Sequence, residues 1–155
     1  MKQKFIISIV AALMLLAAGA QAGSYTDNGN GTVTDGATGL MWQKEDDNIK
    51  RQWTDAVSYC EGLTLAGYSD WRLPDVNDLL SLIPPGDYTA PTIDETYFPN
   101  TDAKAYWSSR EGRMTGPGQL AEDPSKALFV TFDLGIPLTF NKTGTCHVRC
   151  VRGGR

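Results

Sequence analysis

The residues of this sequence best suited to chemistry lie close together near its end. The segment TCHVRC places Cys146, His147 and Cys150 within five residues, and it holds the only histidine and two of the three cysteines of the 155-residue chain. Thiolate and imidazole groups bind metals, and a thiolate is also a nucleophile and a redox group. The segment is therefore compatible with a metal site, a redox pair, or one half of a structural disulfide.

An extended conformation of this segment argues against the first two functions. In a strand, Cys146, Val148 and Cys150 share one face, whereas His147 and Arg149 point the other way. The Cα atoms of the two cysteines are then ~13 Å apart, beyond the ~7 Å that a disulfide tolerates. Zinc takes four ligands, and the chain holds no second Cys/His pair. We therefore predict no metal and no cofactor, and we expect His147 to be a surface residue of a strand.

The first residues bear on the cellular compartment. Lysines precede the apolar run FIISIVAALMLLAA, and small residues at Ala20 and Ala22 suit a signal peptidase. Residues 1–22 are therefore predicted to be a secretory signal, with a retained membrane anchor as the alternative. Residues 23–155 are expected to form one domain, exported to the periplasm or the cell surface. No later stretch approaches the ~20 apolar residues of a membrane span.

The charge of the chain argues against nucleic acid as the main partner. Its 14 basic and 18 acidic side chains give a formal net charge of −4. A surface that binds phosphates needs clustered lysine and arginine, which this composition does not favour.

A first amphipathic helix is predicted in QWTDAVSYCEGL. Trp53, Val57 and Cys60 recur at three- and four-residue steps and share one face, and Thr54 suits the N-cap. Cys60 therefore points into the core. Cysteines of exported proteins are usually bridged, and an odd number leaves at least one without a partner in the chain. The pattern predicts a disulfide from Cys60 to one of the two cysteines of TCHVRC.

A second helix and several strands complete the predicted elements. Asp75 suits the N-cap of this helix, Asp78 the capping-box position, and PPG at 84–86 ends it. Strands are predicted in TVT, LMW, AYWSS, KALFVTFDL and CHVRCVR, the first two joined by Asp-Gly turn chemistry. Segments 84–104 and 110–125 are predicted to be long irregular loops. The fold class is therefore α+β, with a small twisted antiparallel sheet and two short helices.

Three further motifs have structural interpretations. EDD at 45–47 is expected to be a solvated turn, and Phe98-Pro-Asn-Thr-Asp102 an anchor of its loop. Arg72, between Trp71 and Leu73, is expected to make structural hydrogen bonds rather than ligand contacts.

The order of several segments resembles one known family. They are NGTVTDGATGLMWQ, WTDAVSYCEGLTLAGYSDWRLPDVNDLLSLI, YFPNT, YWSS, ALFVTFDLG and VRCVRGG. Over nearly all of 23–155 the sequence is similar to the Lcl C-terminal domain family, the C-terminal module of a collagen-like bacterial adhesin. That family looks like a branch of the C-type-lectin-like fold related to the formylglycine-generating-enzyme domain. In such folds a disulfide commonly joins the first helix to the last strand. The resemblance therefore implies a Cys60–Cys150 bridge and leaves Cys146 as a free thiol.

The sequence favours recognition over catalysis. It has no Gly-x-Ser-x-Gly nucleophile motif and none of the Glu-Pro-Asn or Gln-Pro-Asp motifs of calcium-dependent lectins. Loops on a rigid sheet commonly carry recognition, so we expect the 84–125 region to bind a ligand. The candidate contacts are Tyr106, Trp107, Ser108, Ser109, Arg110 and Arg113.

The chemistry of the ligand is suggested by the two arginines and by the resemblance. Arg110 and Arg113 would pair with anionic groups, while Trp107 is also a candidate core residue. Because the adhesin family binds host polysaccharide, the resemblance implies an extracellular glycan, with sulfated polysaccharide as one candidate, or a protein as the partner. Assembly into a homo-oligomer is a further expectation. The alternative is an oxidase or hydrolase of the related enzyme branch, in which Cys146 and Cys150 would be the reactive pair.

Overall fold

A computed structural model describes residues 24–86 and 88–154 of this chain. The predicted secretory signal, residues 1–22, lies outside the described residues. The helices are α1 (Trp53–Glu61) and α2 (Val76–Ser81). The strands are β1 (Tyr25–Asp27), β2 (Thr32–Asp35), β3 (Met41–Gln43), β4 (Ala105–Glu111), β5 (Arg113–Gly116), β6 (Gln119–Ala121), β7 (Lys126–Thr131), β8 (Ile136–Asn141) and β9 (Val151–Arg152). Within the described part of the chain, no helix is long and apolar enough to cross a membrane.

The strands form three small antiparallel sheets, so the fold is α+β as predicted. Four strands pair in the order β1-β2-β3-β9, three in the order β4-β7-β8, and β5 and β6 form a two-stranded ribbon. The single sheet expected from the sequence is therefore divided. The first sheet contains strands from both ends of the described chain: β1 and β9 form its two edges.

Asparagine and glycine form the tight turn between β1 and β2 of the first sheet. Between β1 and β2, Gly29 and Gly31 have φ angles of 69° and 84°, a region that residues with a Cβ rarely adopt. The backbone N–H of Asn28 donates to the carbonyl of Thr32 at 3.0 Å and closes this turn.

The start of α1 differs from the prediction. Its N-cap is Gln52, which makes no capping hydrogen bond through its side chain, and not Thr54. The reason is tertiary: the backbone N–H of Trp53 donates to the carbonyl of Lys142 at 3.0 Å, so a distant residue satisfies the first helical donor.

The start of α2 agrees with the prediction. The Asp75 carboxylate accepts from the Asn77 amide at 3.0 Å, and the Asp78 carboxylate accepts from the Asp75 amide at 2.9 Å. The Asp75 carboxylate also accepts from the backbone N–H of Asp78, so both halves of the capping box are present. Asp78 also forms an ion pair with Arg72 at 2.7 Å, which confirms that Arg72 has a structural role.

Two clusters of buried side chains form the core, and the segment 146–150 contributes to both. Its cysteines and Val148 pack in the cluster that includes Trp107 and the inner face of α1. His147 stacks on Tyr106, which belongs to the other cluster, with ring centroids 5.2 Å apart. The predicted alternation of side chains is present, but both sides face protein.

Two sequence predictions about this region are therefore wrong. His147 is 2% exposed and not a surface residue, because the chain passes through the interior rather than along an edge. The closing strand is also shorter than expected. β9 covers only 151–152, and 146–150 makes isolated bridges, one between Arg51 and Cys146 and one between Tyr106 and His147.

The two predicted long loops have different outcomes. Residues 84–104 contain no helix or strand among those described. Residues 110–125, in contrast, are largely ordered as the end of β4 and the β5–β6 ribbon. This ribbon stands next to the three-stranded sheet, because the Met114 amide donates to the Thr139 hydroxyl of β8 at 2.9 Å.

Candidate functional site

The candidate site is an open groove where β4 passes into the β5–β6 ribbon. One wall is formed by Ser109–Gly112 and the other by Glu122, Asp123 and Pro124. The groove therefore lies within the 84–125 region that the sequence indicated, at its second half.

A glycine lets the two walls of the groove approach each other. Gly112 has a φ angle of 111°, and a Cβ at this position would lie 2.7 Å from the carbonyl oxygen of Ala121. Its backbone N–H donates to the carbonyl of Lys126 at 2.9 Å. At the other end of this wall, the Ser109 amide donates to the carbonyl of Pro74 at 2.7 Å. Backbone hydrogen bonds therefore fix the chain on both sides of Arg110, at Ser109 and at Gly112.

Arg110, which lines the groove, and Arg113, which follows the first wall at the start of β5, differ from the other described arginines. Arg110 and Arg113 are exposed, and neither forms an ion pair or a side-chain hydrogen bond with another described residue. The remaining four of the six described arginines are paired with carboxylates: Arg51 with Asp47 at 2.6 Å, Arg72 with Asp78 at 2.7 Å, Arg149 with Asp46 at 3.3 Å and Arg152 with Asp70 at 2.7 Å. Two guanidinium groups, one near the end of β4 and one at the start of β5, therefore have no ion-pair partner among the described residues.

Carboxylates line the same groove. Glu111 is held by the ammonium of Lys142 at 2.7 Å. Hydrogen bonds from Ser125 and the charges of Lys126 and Arg113 hold the pKa of Asp123 below its usual value, so that this side chain stays ionised at neutral pH. The groove therefore presents both signs of charge and is not a uniformly basic surface.

Three of the predicted contact residues are buried and have structural partners. Tyr106, Trp107 and Ser108 are each 0% exposed. Their side chains donate to partners in the interior: the Tyr106 hydroxyl to Asp46 at 2.7 Å, the Trp107 indole to the Arg51 carbonyl at 2.8 Å, and the Ser108 hydroxyl to the Leu128 carbonyl at 2.9 Å. These side chains belong to the interior, and the expectation that they contact a ligand directly is corrected. Ser109, Arg110 and Arg113 remain predicted contacts.

A buried polar cluster surrounds Asp46 and Arg149, and the sequence did not indicate it. The sequence predicted a solvated turn at EDD (45–47). This prediction is wrong for Asp46, which is only 7% exposed. Its carboxylate accepts from Tyr106 and lies 3.3 Å from a guanidinium nitrogen of Arg149. The Asn100 amide donates to the Asp46 carbonyl at 2.7 Å, which confirms that 98–102 anchors its loop. No local signal could have paired these residues, because Asp46 and Arg149 are 103 positions apart.

Desolvation sets the protonation states in this cluster. Burial is the main cause that raises the pKa of Tyr106 and lowers the pKa of His147, so both groups are neutral at pH 7. The Nε2 atom of His147 lies 3.4 Å from an Asp102 oxygen, but neither ring nitrogen has the geometry of a hydrogen bond. Tyr106 is 0% exposed and His147 is 2% exposed, so both side chains lie in the interior.

The three cysteines have distinct states. A disulfide joins Cys60 of α1 to Cys150, with Cα atoms 5.5 Å apart, which is the pairing that the family resemblance implied. Cys146 is free and buried, and its burial raises the pKa of the thiol to about 12. Within residues 24–86 and 88–154, no three histidine, cysteine, aspartate or glutamate side chains lie together as metal ligands would.

Comparison with known proteins identifies the family of the chain. No curated protein matches this sequence. The family model of the Lcl C-terminal domain, however, matches residues 31–152, from the first turn of the first sheet to the end of β9. Since this match covers most of the sequence, the chain belongs to the Lcl C-terminal domain family.

Proposed function

We propose that this protein is an exported, non-catalytic recognition module that binds a glycan carrying acidic groups in the groove of the β5–β6 ribbon. The observation that carries the proposal is that Arg110 and Arg113 form no ion pair with a described carboxylate, although every other described arginine forms one. An arginine binds carboxylate or sulfate through two parallel hydrogen bonds, which gives direction as well as affinity.

The other wall of the groove narrows the class of glycan. Glu122 and Asp123 would repel a densely sulfated chain, but their oxygens are suitable acceptors for sugar hydroxyl groups. The mixed charge therefore favours a glycan whose acidic groups are separated by neutral sugars. An acidic surface of a protein is the second possible ligand, because it offers carboxylates at similar spacing.

Binding to two glycans of different charge density tests the proposal. The mature protein is titrated with hyaluronan, which has one carboxylate per disaccharide, and with heparin, which is densely sulfated. The variant Arg110→Gln with Arg113→Gln is expected to lose about tenfold or more in affinity for hyaluronan, because two charge-assisted contacts disappear. The matched control is Lys50→Gln with Lys104→Gln, which removes two positive charges from exposed lysines elsewhere.

The outcomes separate the versions of the proposal. Loss of affinity in the arginine variant but not in the lysine control supports binding in the groove. Stronger binding of heparin than of hyaluronan would contradict the argument from Glu122 and Asp123 and would indicate a sulfated glycan as the ligand. No binding of either glycan by the wild-type protein would overturn the glycan version and leave a protein ligand to be sought.

We also propose that the α+β fold is C-type-lectin-like. The bridge from α1 to the residue before β9 supports this proposal, because such a disulfide is common in that fold. The oxidase or hydrolase alternative has less support, because Cys150 is committed to Cys60 and the Cys146 thiol is buried. Homo-oligomerisation remains a prediction, and light scattering during size-exclusion chromatography tests it.

A further inference from the structure

The turn between β1 and β2 contains the same dipeptide twice. Asn28-Gly29 and Asn30-Gly31 follow each other directly, and all four residues are exposed. An asparagine before a glycine can cyclise, because glycine has no side chain to hinder attack of its backbone nitrogen on the neighbouring carboxamide. The two dipeptides therefore offer the same chemistry, and their surroundings decide whether each of them reacts.

The first dipeptide is held in an unreactive arrangement. The backbone N–H of Gly29, which is the group that would attack, donates to a carboxylate oxygen of Asp27 at 3.0 Å. The side-chain amide of Asn28 donates to the hydroxyls of Thr32 and Thr34, each at 2.9 Å. Both groups that would react are thus engaged, and cyclisation would have to break these hydrogen bonds.

The second dipeptide has a free nucleophile. Among the described residues, none accepts a hydrogen bond from the backbone N–H of Gly31. The side-chain carbonyl of Asn30 accepts from the Thr32 hydroxyl at 2.6 Å, and such a contact stabilises the negative charge that develops on the oxygen during attack. Thr32 is itself fixed in position, since it lies in β2 and is 0% exposed.

We propose that Asn30 is a site of spontaneous deamidation, whereas Asn28 is protected by Asp27. The backbone nitrogen of Gly31 forms a bond to the side-chain carbonyl carbon of Asn30. The bond from this carbon to the amide nitrogen breaks, and ammonia leaves with the proton of the Gly31 amide. Water then opens the cyclic imide at either of its carbonyls. The product is aspartate or isoaspartate, and each adds a negative charge to the chain.

The modification would affect more than the turn. The carbonyl of Gly31 accepts from the backbone N–H of Lys44 at 3.0 Å, and the carbonyl of Lys44 accepts from the buried guanidinium of Arg149. In isoaspartate the backbone passes through the former side-chain methylene, which moves Gly31 relative to Lys44. Isoaspartate at position 30 would therefore weaken the contact between the turn and the segment after β3.

Site-resolved mass spectrometry of the aged protein tests the proposal. The protein is kept folded at mildly alkaline pH, which promotes ionisation of the attacking amide, and peptide fragmentation assigns each converted asparagine. Asn30 is expected to convert about tenfold or more faster than Asn28, because attack at Asn28 must first break a hydrogen bond to a carboxylate. A sample unfolded in guanidinium chloride is the control, in which the two sites should react at similar rates.

Two variants test the protective role of Asp27. Asp27→Ala removes the acceptor of the Gly29 N–H and is expected to speed the conversion of Asn28 by about tenfold. Lys44→Gln is the matched control, because it removes the ion pair of Asp27 at 2.7 Å and leaves the acceptor of the Gly29 N–H in place. The rate at Asn28 in this control should stay within about twofold of the wild-type rate.

The proposal can fail in two ways. Equal rates at the two asparagines of the folded protein, or reaction only after denaturation, would overturn the assignment of Asn30 as the reactive site. An unchanged rate at Asn28 in Asp27→Ala would overturn the protective role of Asp27. Circular dichroism shows whether each variant is folded, and the comparison of the two sites in the wild-type protein needs no variant and no ligand.

Discussion

The guanidinium of Arg149 lies 3.3 Å from a carboxylate oxygen of Asp46, and the two side chains are 0% and 1% exposed. The carbonyls of Gln43 and Lys44 and the hydroxyl of Thr101 accept further hydrogen bonds from Arg149. A buried charge is tolerated only when its partners replace the water that it has lost. This pair therefore connects three parts of the chain: the segment after β3, the 98–102 loop and the interior segment 146–150.

Removal of one member of this pair is expected to destabilise the fold strongly. Arg149→Met leaves the Asp46 carboxylate buried without its cation, and we expect the free energy of unfolding to fall by about 3–5 kcal/mol. Urea unfolding followed by tryptophan fluorescence measures this change. Asp46→Leu with Arg149→Met should lose less than the sum of the two single variants. A single-variant loss below about 1 kcal/mol would contradict this account.

The disulfide is expected to supply a large part of the net stability. It joins residues 90 positions apart, and the chain-entropy model assigns about 4–5 kcal/mol to a loop of that length. Cys60→Ser with Cys150→Ser should therefore lower the urea midpoint substantially relative to wild type. Cys146→Ser is the matched control, because it removes a buried thiol that is not bridged. Equal midpoints for the wild type and the double variant would show that the bridge has no such role.

The thiol of Cys146 is expected to be unreactive in the folded protein. Burial raises its pKa to about 12, so very little thiolate is present at pH 8, and the nearby charge of Lys50 opposes this shift only in part. Iodoacetamide should therefore label the native, unreduced protein slowly and label it rapidly in denaturant. Peptide mapping should find one modified cysteine per chain. Rapid labelling of the native protein at Cys146 would show that the residue is accessible.

His147 is expected to make stability depend on pH. Burial lowers its pKa in the folded state below the unfolded value near 6.5, so the unfolded chain binds the proton more readily. Stability should be fully present above pH 6.5 and fall as the pH drops through the folded pKa. The charges that face His147 are Asp46, Asp47 and Asp102, which favour its protonation, and Lys50, which opposes it.

Two measurements check this dependence. Since the chain has a single histidine, one imidazole signal in a proton NMR titration gives the folded pKa directly. The variant His147→Gln should show a flatter dependence of the urea midpoint on pH between 5 and 7, whereas an unchanged slope would assign the effect to carboxylates.

Features that depend on neighbours along the chain could be predicted from the sequence. The capping box of Asp75 and Asp78 and the turns at Gly29 and Gly31 follow from local backbone chemistry. The inward direction of Cys60 follows from the spacing of apolar residues in α1. The partner of Cys60 required the family resemblance, because spacing alone left two cysteines possible.

The groove was predicted only in outline. Arg110 and Arg113 could be recognised from the sequence as candidate ligand contacts in a polar segment. The ribbon beside them could not be recognised, because its strand Gln119–Ala121 is too short to show a periodic pattern. Whether a cation has a partner depends on contacts such as that between Glu111 and Lys142, which are 31 positions apart. A pattern within one segment does not contain that information.

By itself the sequence indicated the two helices, the strands β2, β3, β4 and β7, and the family to which the chain belongs. Only the tertiary structure decided which side chains are buried and which charges are paired: Asp46 and His147 lie in the interior, and Arg110 and Arg113 are left open to solvent. The physical reason is that helix caps and turns are formed by residues a few positions apart, whereas desolvation and charge pairing depend on groups brought together from distant parts of the chain.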